Sequence, residues 1–213
     1  MDTFRAFSGL HAAALGAIAL LTAIAIVVAR RRAPSPHATP TERAIGWAYL
    51  AAWATTFTFL ASPPLLEPAK TYPLQLCHLN ALAAALLLIT RWRVLRPIVY
   101  FWGFALSTQA LITPTLTEGP AIYPFWFFWT THGMIVGVAL YDVIALHYRP
   151  ALRDYGIACA ASAAYSRLSC RSTSRSAGTT GSWAPASRRC PPSSIFSGRG
   201  PSDLQSSYRW SPR

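Results

Sequence analysis

Between residues 9 and 147 the apolar side chains fall into five long runs, each closed by arginines or prolines. At 1.5 Å of rise per residue, a hydrocarbon layer of roughly 30 Å takes about 20 apolar residues in a helix. The runs lie at 9–29, 44–62, 73–90, 97–116 and 123–147, and a sixth begins near 155 and stops at about 165. Arg30, Arg31 and Arg32 end the first, Pro63 and Pro64 the second, and Arg91, Arg93 and Arg96 follow the third. Pro114 marks the exit of the fourth, and Tyr123, Phe125, Trp126, Phe127, Phe128 and Trp129 open the fifth as an aromatic belt suited to a membrane interface. The pattern predicts an all-α polytopic transmembrane helix bundle with five full spans and a truncated sixth.

Composition agrees with that reading: the chain is 53% hydrophobic and only 12% charged, with the apolar residues in blocks rather than at amphipathic spacing. A net charge of +12 invites a nucleic-acid partner, but its distribution argues against one. Residues 1–165 hold 11 Lys/Arg against 6 Asp/Glu, while Ser166–Arg213 hold 8 against 1, so the excess sits in a tail and in loops between spans. The partners this predicts are membrane lipids. Cys77, Cys159, Cys170 and Cys190 share no spacing of a zinc, redox or disulfide framework, and no cofactor is expected. The first run resembles a signal peptide in length, but three arginines stand where a small-residue cleavage site belongs, which makes it a retained helix.

Basic residues also predict orientation. Arg30, Arg31, Arg32 and Arg43 flank one loop, Arg91, Arg93 and Arg96 the next on the same side, and Arg149 and Arg153 the third. The opposite side holds Arg5 and Lys70 among Asp2, Glu67 and Glu118. The positive-inside rule then places the N-terminus outside and the arginine clusters in the cytoplasm, in the cell (inner or plasma) membrane.

Polar residues inside such runs need partners or water, which makes them candidate functional groups. The densest set is Gln75, Cys77, His78 and Asn80, at the start of the third run. With the predicted topology, His11, Thr55, Thr56, Thr58, Gln109, Thr113 and His132 fall at a similar outer depth. Cys77 and Asn80, three residues apart, share a helix face, whereas Cys77 and His78 stand about 100° apart. One reading turns Cys77 and Asn80 toward a central cavity with His132 opposite, where an imidazole deprotonates the thiol and makes it a nucleophile. The plainer reading makes Cys77 a packing residue and His132 an interhelical hydrogen-bonding group. His11, Cys77, His78 and His132 are zinc-type ligands, but they come from three helices without a clustered motif, so no metal is expected. Asp142, near the cytoplasmic end of the fifth span, is expected to reach interfacial water or an arginine.

Several stretches taken in order carry a family likeness: Leu10-His11-Ala12-Ala13-Ala14-Leu15-Gly16, Tyr72-Pro73-Leu74-Gln75-Leu76-Cys77, Tyr100-Phe101-Trp102-Gly103, Gln109-Ala110-Leu111-Ile112-Thr113-Pro114, Thr131-His132-Gly133 and Tyr148-Arg149-Pro150. Over about residues 5–160 they resemble the YwaF-like family of bacterial multi-pass membrane proteins, whose members carry an acidic residue where this chain has His78. That family is similar to the transmembrane-protein-164 group of phospholipid acyltransferases. The resemblance implies Cys77 as the acyl-accepting nucleophile and His132 as its base, with Asn80 or Gln109 as orienting groups; the polar pocket itself offers His11, His78, Asn80, Gln109 and Thr113 as substrate-binding positions. The alternative function is non-enzymatic binding or transport of a small ligand in the same polar pocket.

Residues 166–213 break the pattern, being rich in Ser, Arg, Pro and Gly without an apolar run, and read by composition as a disordered basic tail. A sharper reading is a frameshift near Tyr165. The stretch Ser194-Ile195-Phe196-Ser197-Gly198-Arg199-Gly200-Pro201 can be written in GC-rich codons whose shifted frame reads Leu-Asp-Leu-Leu-Gly-Pro-Trp-Pro. The YwaF-like family carries a similar peptide in its last span.

Overall fold

A computed structural model describes residues 4–32, 35–60 and 75–177. Six helices and no strand occur among them. They are α1 (Gly9–Arg30), α2 (Pro40–Leu60), α3 (Leu76–Thr90), α4 (95–112), α5 (Tyr123–Ile144) and α6 (Leu152–Ala177). Within α4, Leu95–Trp102 passes through a π-helical turn, Gly103–Ser107, into Thr108–Ile112. The start of the predicted third span and the loop before it lie partly outside the described residues, as does most of the tail. Packing divides the chain into Met1–Tyr165 and Ser166–Arg213; of the second part, 166–177 are described, as the last turns of α6.

Local chemistry sets the helix ends. Ser8 caps α1, its hydroxyl accepting from the His11 N–H at 3.3 Å. Thr39-Pro40-Thr41-Glu42 is a reciprocal capping box: Glu42 N–H donates to Thr39 Oγ1 at 3.3 Å and Thr39 N–H to Glu42 Oε2 at 2.7 Å, with Pro40 at the first helical position. At the end of α3, Arg91 takes the left-handed conformation (φ 57°) that more often falls to glycine, and its N–H donates to the Leu87 carbonyl. Asp154 caps α6 through the Ala151 N–H at 3.0 Å.

Close backbone approach holds the helices together. A Cβ on Gly46 of α2 would lie 2.7 Å from Ile89 Cγ1 and 2.9 Å from the Ala85 carbonyl oxygen of α3. On α5, Gly133 and Gly137 form a small-xxx-small pair against α1, facing Ile18 and Thr22. The central packing joins Ala83, Ala84, Leu87 and Leu88 of α3 to Val99 of α4 and to Val138 and Ala139 of α5. In lipid no hydrophobic force pulls helices together, so the fit of small side chains supplies the contact. A second cluster, Phe4, Leu111, Phe125 and Trp129, closes the end near the N-terminus.

Two helices among the described residues, α1 and α5, are long and apolar enough to cross a bilayer. Leu20, Leu21, Ile24, Val27 and Val28 of α1 are exposed, a surface that suits acyl chains better than water. The 15-residue α3 is shorter than the span predicted at 73–90, α4 ends at Ile112 rather than 116, and α5 ends at Ile144 rather than 147. Thr113 leaves the helix at φ −124°, ψ 70°, because Pro114 disfavours helical geometry in the residue before it. The sixth run is helical through Ala177, beyond its predicted end.

Candidate functional site

The helices bring polar groups to two opposite ends of the bundle. One end, where α3 and α5 begin, holds His11, Cys77, His78 and His132; the other, where α3 ends, holds the arginines. Along α3, Cys77 and Arg91 are separated by about 20 Å.

At the histidine end, His11 is buried and both ring nitrogens are engaged. Phe7 N–H donates to Nδ1 at 2.8 Å, so the proton sits on Nε2, which donates to the Leu111 carbonyl at 2.8 Å. Phe4, Phe7 and Trp129 surround the ring. His11 therefore ties α1 to the end of α4 and offers no lone pair to a ligand. His132 is buried, and its Nδ1–H donates to the Phe128 carbonyl of the preceding turn at 2.8 Å. That bond selects the tautomer in which Nε2 carries the lone pair, the form a general base needs.

Neighbouring residues of α3 diverge. Cys77 is half-buried, its thiol 3.7 Å from Gln75 Oε1. His78 is the more buried of the two, edge-on to Phe57 of α2 (centroids 5.1 Å apart) and near Phe127 of α5 (5.7 Å), with Nδ1 unpartnered. His78 thus turns toward the rings of α2 and α5, while Cys77 keeps a half-buried place beside Gln75. Gln109 on α4 and Thr113 just past its end are exposed and hydrogen-bond each other at 2.8 Å.

Deeper between the helices lies a buried polar layer. Asn80 is 1% exposed, with neither side-chain atom hydrogen-bonded, and the Ser107 hydroxyl is equally buried and unpartnered. Thr131, also 1% exposed, accepts from Tyr49 Oη at 3.2 Å. Gly103 faces Ile135 and Ala139, so one turn along antiparallel α4 and α5 sets Ser107 level with Thr131. Buried amides and hydroxyls without partners are rare, and they concentrate where a ligand or water completes them. The π-helical turn, a device frequent at functional sites, delivers Ser107 to this layer.

The arginine end is differently built. Arg91 Nη2 meets Glu42 Oε1 at 2.6 Å, with both side chains buried, and Tyr141 Oη donates to the same carboxylate oxygen. Burial pushes the Glu42 carboxyl up, but hydrogen bonds from Tyr141, Arg91 and the Thr39 N–H together outweigh it and hold the group below its ordinary value. Arg96 pairs with Asp142 at 3.4 Å and lies over the Tyr148 ring at 5.5 Å, the arginine partner the sequence predicted for Asp142. The expected candidates did not include Glu42, Arg91, Tyr49, Ser107 or Tyr141. For Glu42 a signal was present in the capping-box pattern; for the others it lies in contacts between distant helices. Among the described residues no three His, Cys, Asp or Glu side chains group as a metal site.

An all-helical bundle with a lipid-suited α1, close small-residue contacts and polar groups gathered at its two ends is the build of an integral membrane protein. The chain belongs to the TMEM164 family, a family of membrane proteins whose family model matches residues 6–169. No curated protein and no solved structure matches it.

Proposed function

We propose that this protein transfers acyl chains between membrane lipids through Cys77, with His132 as the base, from a multi-pass topology of five spans with the N-terminus outside the cytoplasmic membrane. The observation that carries this reading is the His132 tautomer: its Nδ1–H is held by the Phe128 carbonyl, leaving Nε2 free to take a proton at the end of the bundle that presents the half-buried Cys77 thiol. Family membership adds weight.

In the reaction, His132 Nε2 takes the thiol proton and Cys77 Sγ attacks the carbonyl carbon of a phospholipid ester. The ester C–O bond breaks, the imidazolium returns the proton to the departing lysolipid oxygen, and a thioester remains on Cys77. An acceptor lysolipid hydroxyl, deprotonated by His132, then attacks the thioester and releases the thiol. His78 and Asn80 stand on the same helix as Cys77 and line the substrate's path, Gln109 and Thr113 frame it from α4, and His11 serves by fixing α1 on α4.

The test is acyl transfer in proteoliposomes, together with acyl label on the protein that hydroxylamine removes. The expected outcome is labelled wild type, unlabelled Cys77→Ser, and His132→Ala slowed by about 10²- to 10⁴-fold. Undiminished transfer by Cys77→Ser would overturn the reading. The unpartnered Asn80 and Ser107 favour a second reading, non-enzymatic binding of a small polar ligand; it predicts ligand retention in Cys77→Ser and loss in Asn80→Leu.

We further propose that the protein is of the YwaF-like subtype and that its frame shifts near Tyr165. The family match, ending at residue 169, and the change of composition at 166 support this. Resequencing decides it: one uninterrupted frame with unchanged codon bias would exclude a shift. A frame-restored chain assayed beside the present one separates an inactive product from a wrong mechanism.

A further inference from the structure

At the arginine end, a cavity of about 520 Å³ opens between α1, the chain before α2, the α3–α4 turn and the end of α5. Arg30, Arg32, Arg91 and Arg96 all line it, as does Glu42. Their roles differ. Arg91 and Arg96 are engaged by Glu42 and Asp142, whereas Arg30 and Arg32 have no carboxylate partner among the described residues. Arg91 and Arg96 each also keep a buried Nε–H without an acceptor. Four guanidinium groups therefore line a cavity whose wall holds one carboxylate, Glu42, with Asp142 pairing Arg96 from outside the lining.

We infer that this cavity binds a phosphate group, supplied either by an anionic lipid headgroup or by free phosphate. Guanidinium forks match phosphate oxygens in pairs, and an oxyanion would neutralise the excess charge while accepting from the exposed Arg30 and Arg32 guanidinium groups. The cavity exceeds one phosphate in size, and Ala29, Ala145 and Leu146 give it apolar wall, which suits the glycerol and first acyl carbons of a lipid. It also lies at a helix-bundle end, where basic pockets between membrane helices meet headgroups. Its distance from Cys77 makes it a separate site, so it stands or falls independently of acyl transfer.

The experiment uses the full chain in phosphatidylcholine nanodiscs with and without phosphatidylglycerol, counting retained lipids by native mass spectrometry. Inorganic phosphate is titrated separately with the unfolding temperature as readout. Arg30→Gln and Arg32→Gln are each expected to lose roughly fivefold in phosphatidylglycerol affinity, and together roughly twentyfold. The single variants carry the test if the double variant fails to insert. Arg149→Gln with Arg153→Gln removes the same charge from exposed positions outside the cavity and is expected to change nothing. Selective retention of phosphatidylglycerol by the wild type assigns the phosphate to a lipid. Stabilisation by inorganic phosphate alone, lost in Arg30→Gln and Arg32→Gln, assigns it to the free ion. Equal behaviour of wild type and cavity variants, or an equal loss in the Arg149 and Arg153 variant, would overturn the site.

Discussion

The two ends of the bundle bury different polar groups: charged pairs at the arginine end, neutral side chains at the histidine end. At the arginine end Glu42 receives Arg91, Tyr141 and the Thr39 N–H, whereas Asp142 faces Arg96 at 3.4 Å with neither carboxylate oxygen hydrogen-bonded. At the histidine end His78 Nδ1, both Asn80 side-chain atoms and Ser107 Oγ are buried without partners. Compensated charge locks helices in place. Neutral polar groups buried without partners are costly to maintain and are candidate binding positions.

The largest break in that contrast comes from Cys77→Ser, which is expected to reduce acyl transfer to background while leaving the unfolding temperature near that of the wild type, since Cys77 is only half-buried. Next comes Glu42→Gln, which strands Arg91. Removing one member of a buried ion pair costs about 3–5 kcal/mol, and Glu42→Gln with Arg91→Met should recover much of it, as read by thermal unfolding in detergent.

The same pair predicts a pH dependence. Because the folded carboxyl titrates below its ordinary value of 4.5, the pair's contribution is fully present above that value and is lost as pH falls through the lower, folded one. The stability gap between wild type and Glu42→Gln should be constant near neutrality and close in acid; a gap unchanged in acid would contradict the bonding around Glu42.

At the histidine end the sign reverses. Asn80→Leu removes an unpartnered amide and is expected to stabilise the apo protein by about 1–3 kcal/mol while abolishing ligand binding or transfer. Destabilisation would mean that Asn80 is structurally satisfied. Gln109→Ala, at an exposed pair, should change stability by less than about 0.5 kcal/mol.

Much of the helical plan was legible from residue order. The runs at 9–29 and 123–147 correspond to α1 and α5 within a few residues, because block hydrophobicity and the residues at each end act locally. His11 and His132 were visible as candidates, but not their opposite fates. His11 has both nitrogens taken by backbone, one of them by Leu111, a hundred residues away. His132 keeps one nitrogen free, through a bond to its own helix. Helical angle alone separated Cys77 from His78 but could not say which turned inward; the rings of Phe57 and Phe127 decide for His78.

By itself the sequence determined a helical membrane protein with polar groups in its apolar runs and arginines after them, since hydropathy and charge act residue by residue against the surrounding medium. Only the tertiary structure decided which of those groups meet. Arg91 accepts a left-handed backbone and reaches Glu42, 49 residues away, and Ser107 enters the interior beside α3 and α5 through a π-helical turn. Such pairings depend on helix rotation and on close contacts like Gly46 against Ala85 and Gly133 against Ile18. No periodicity within a single segment encodes that rotation.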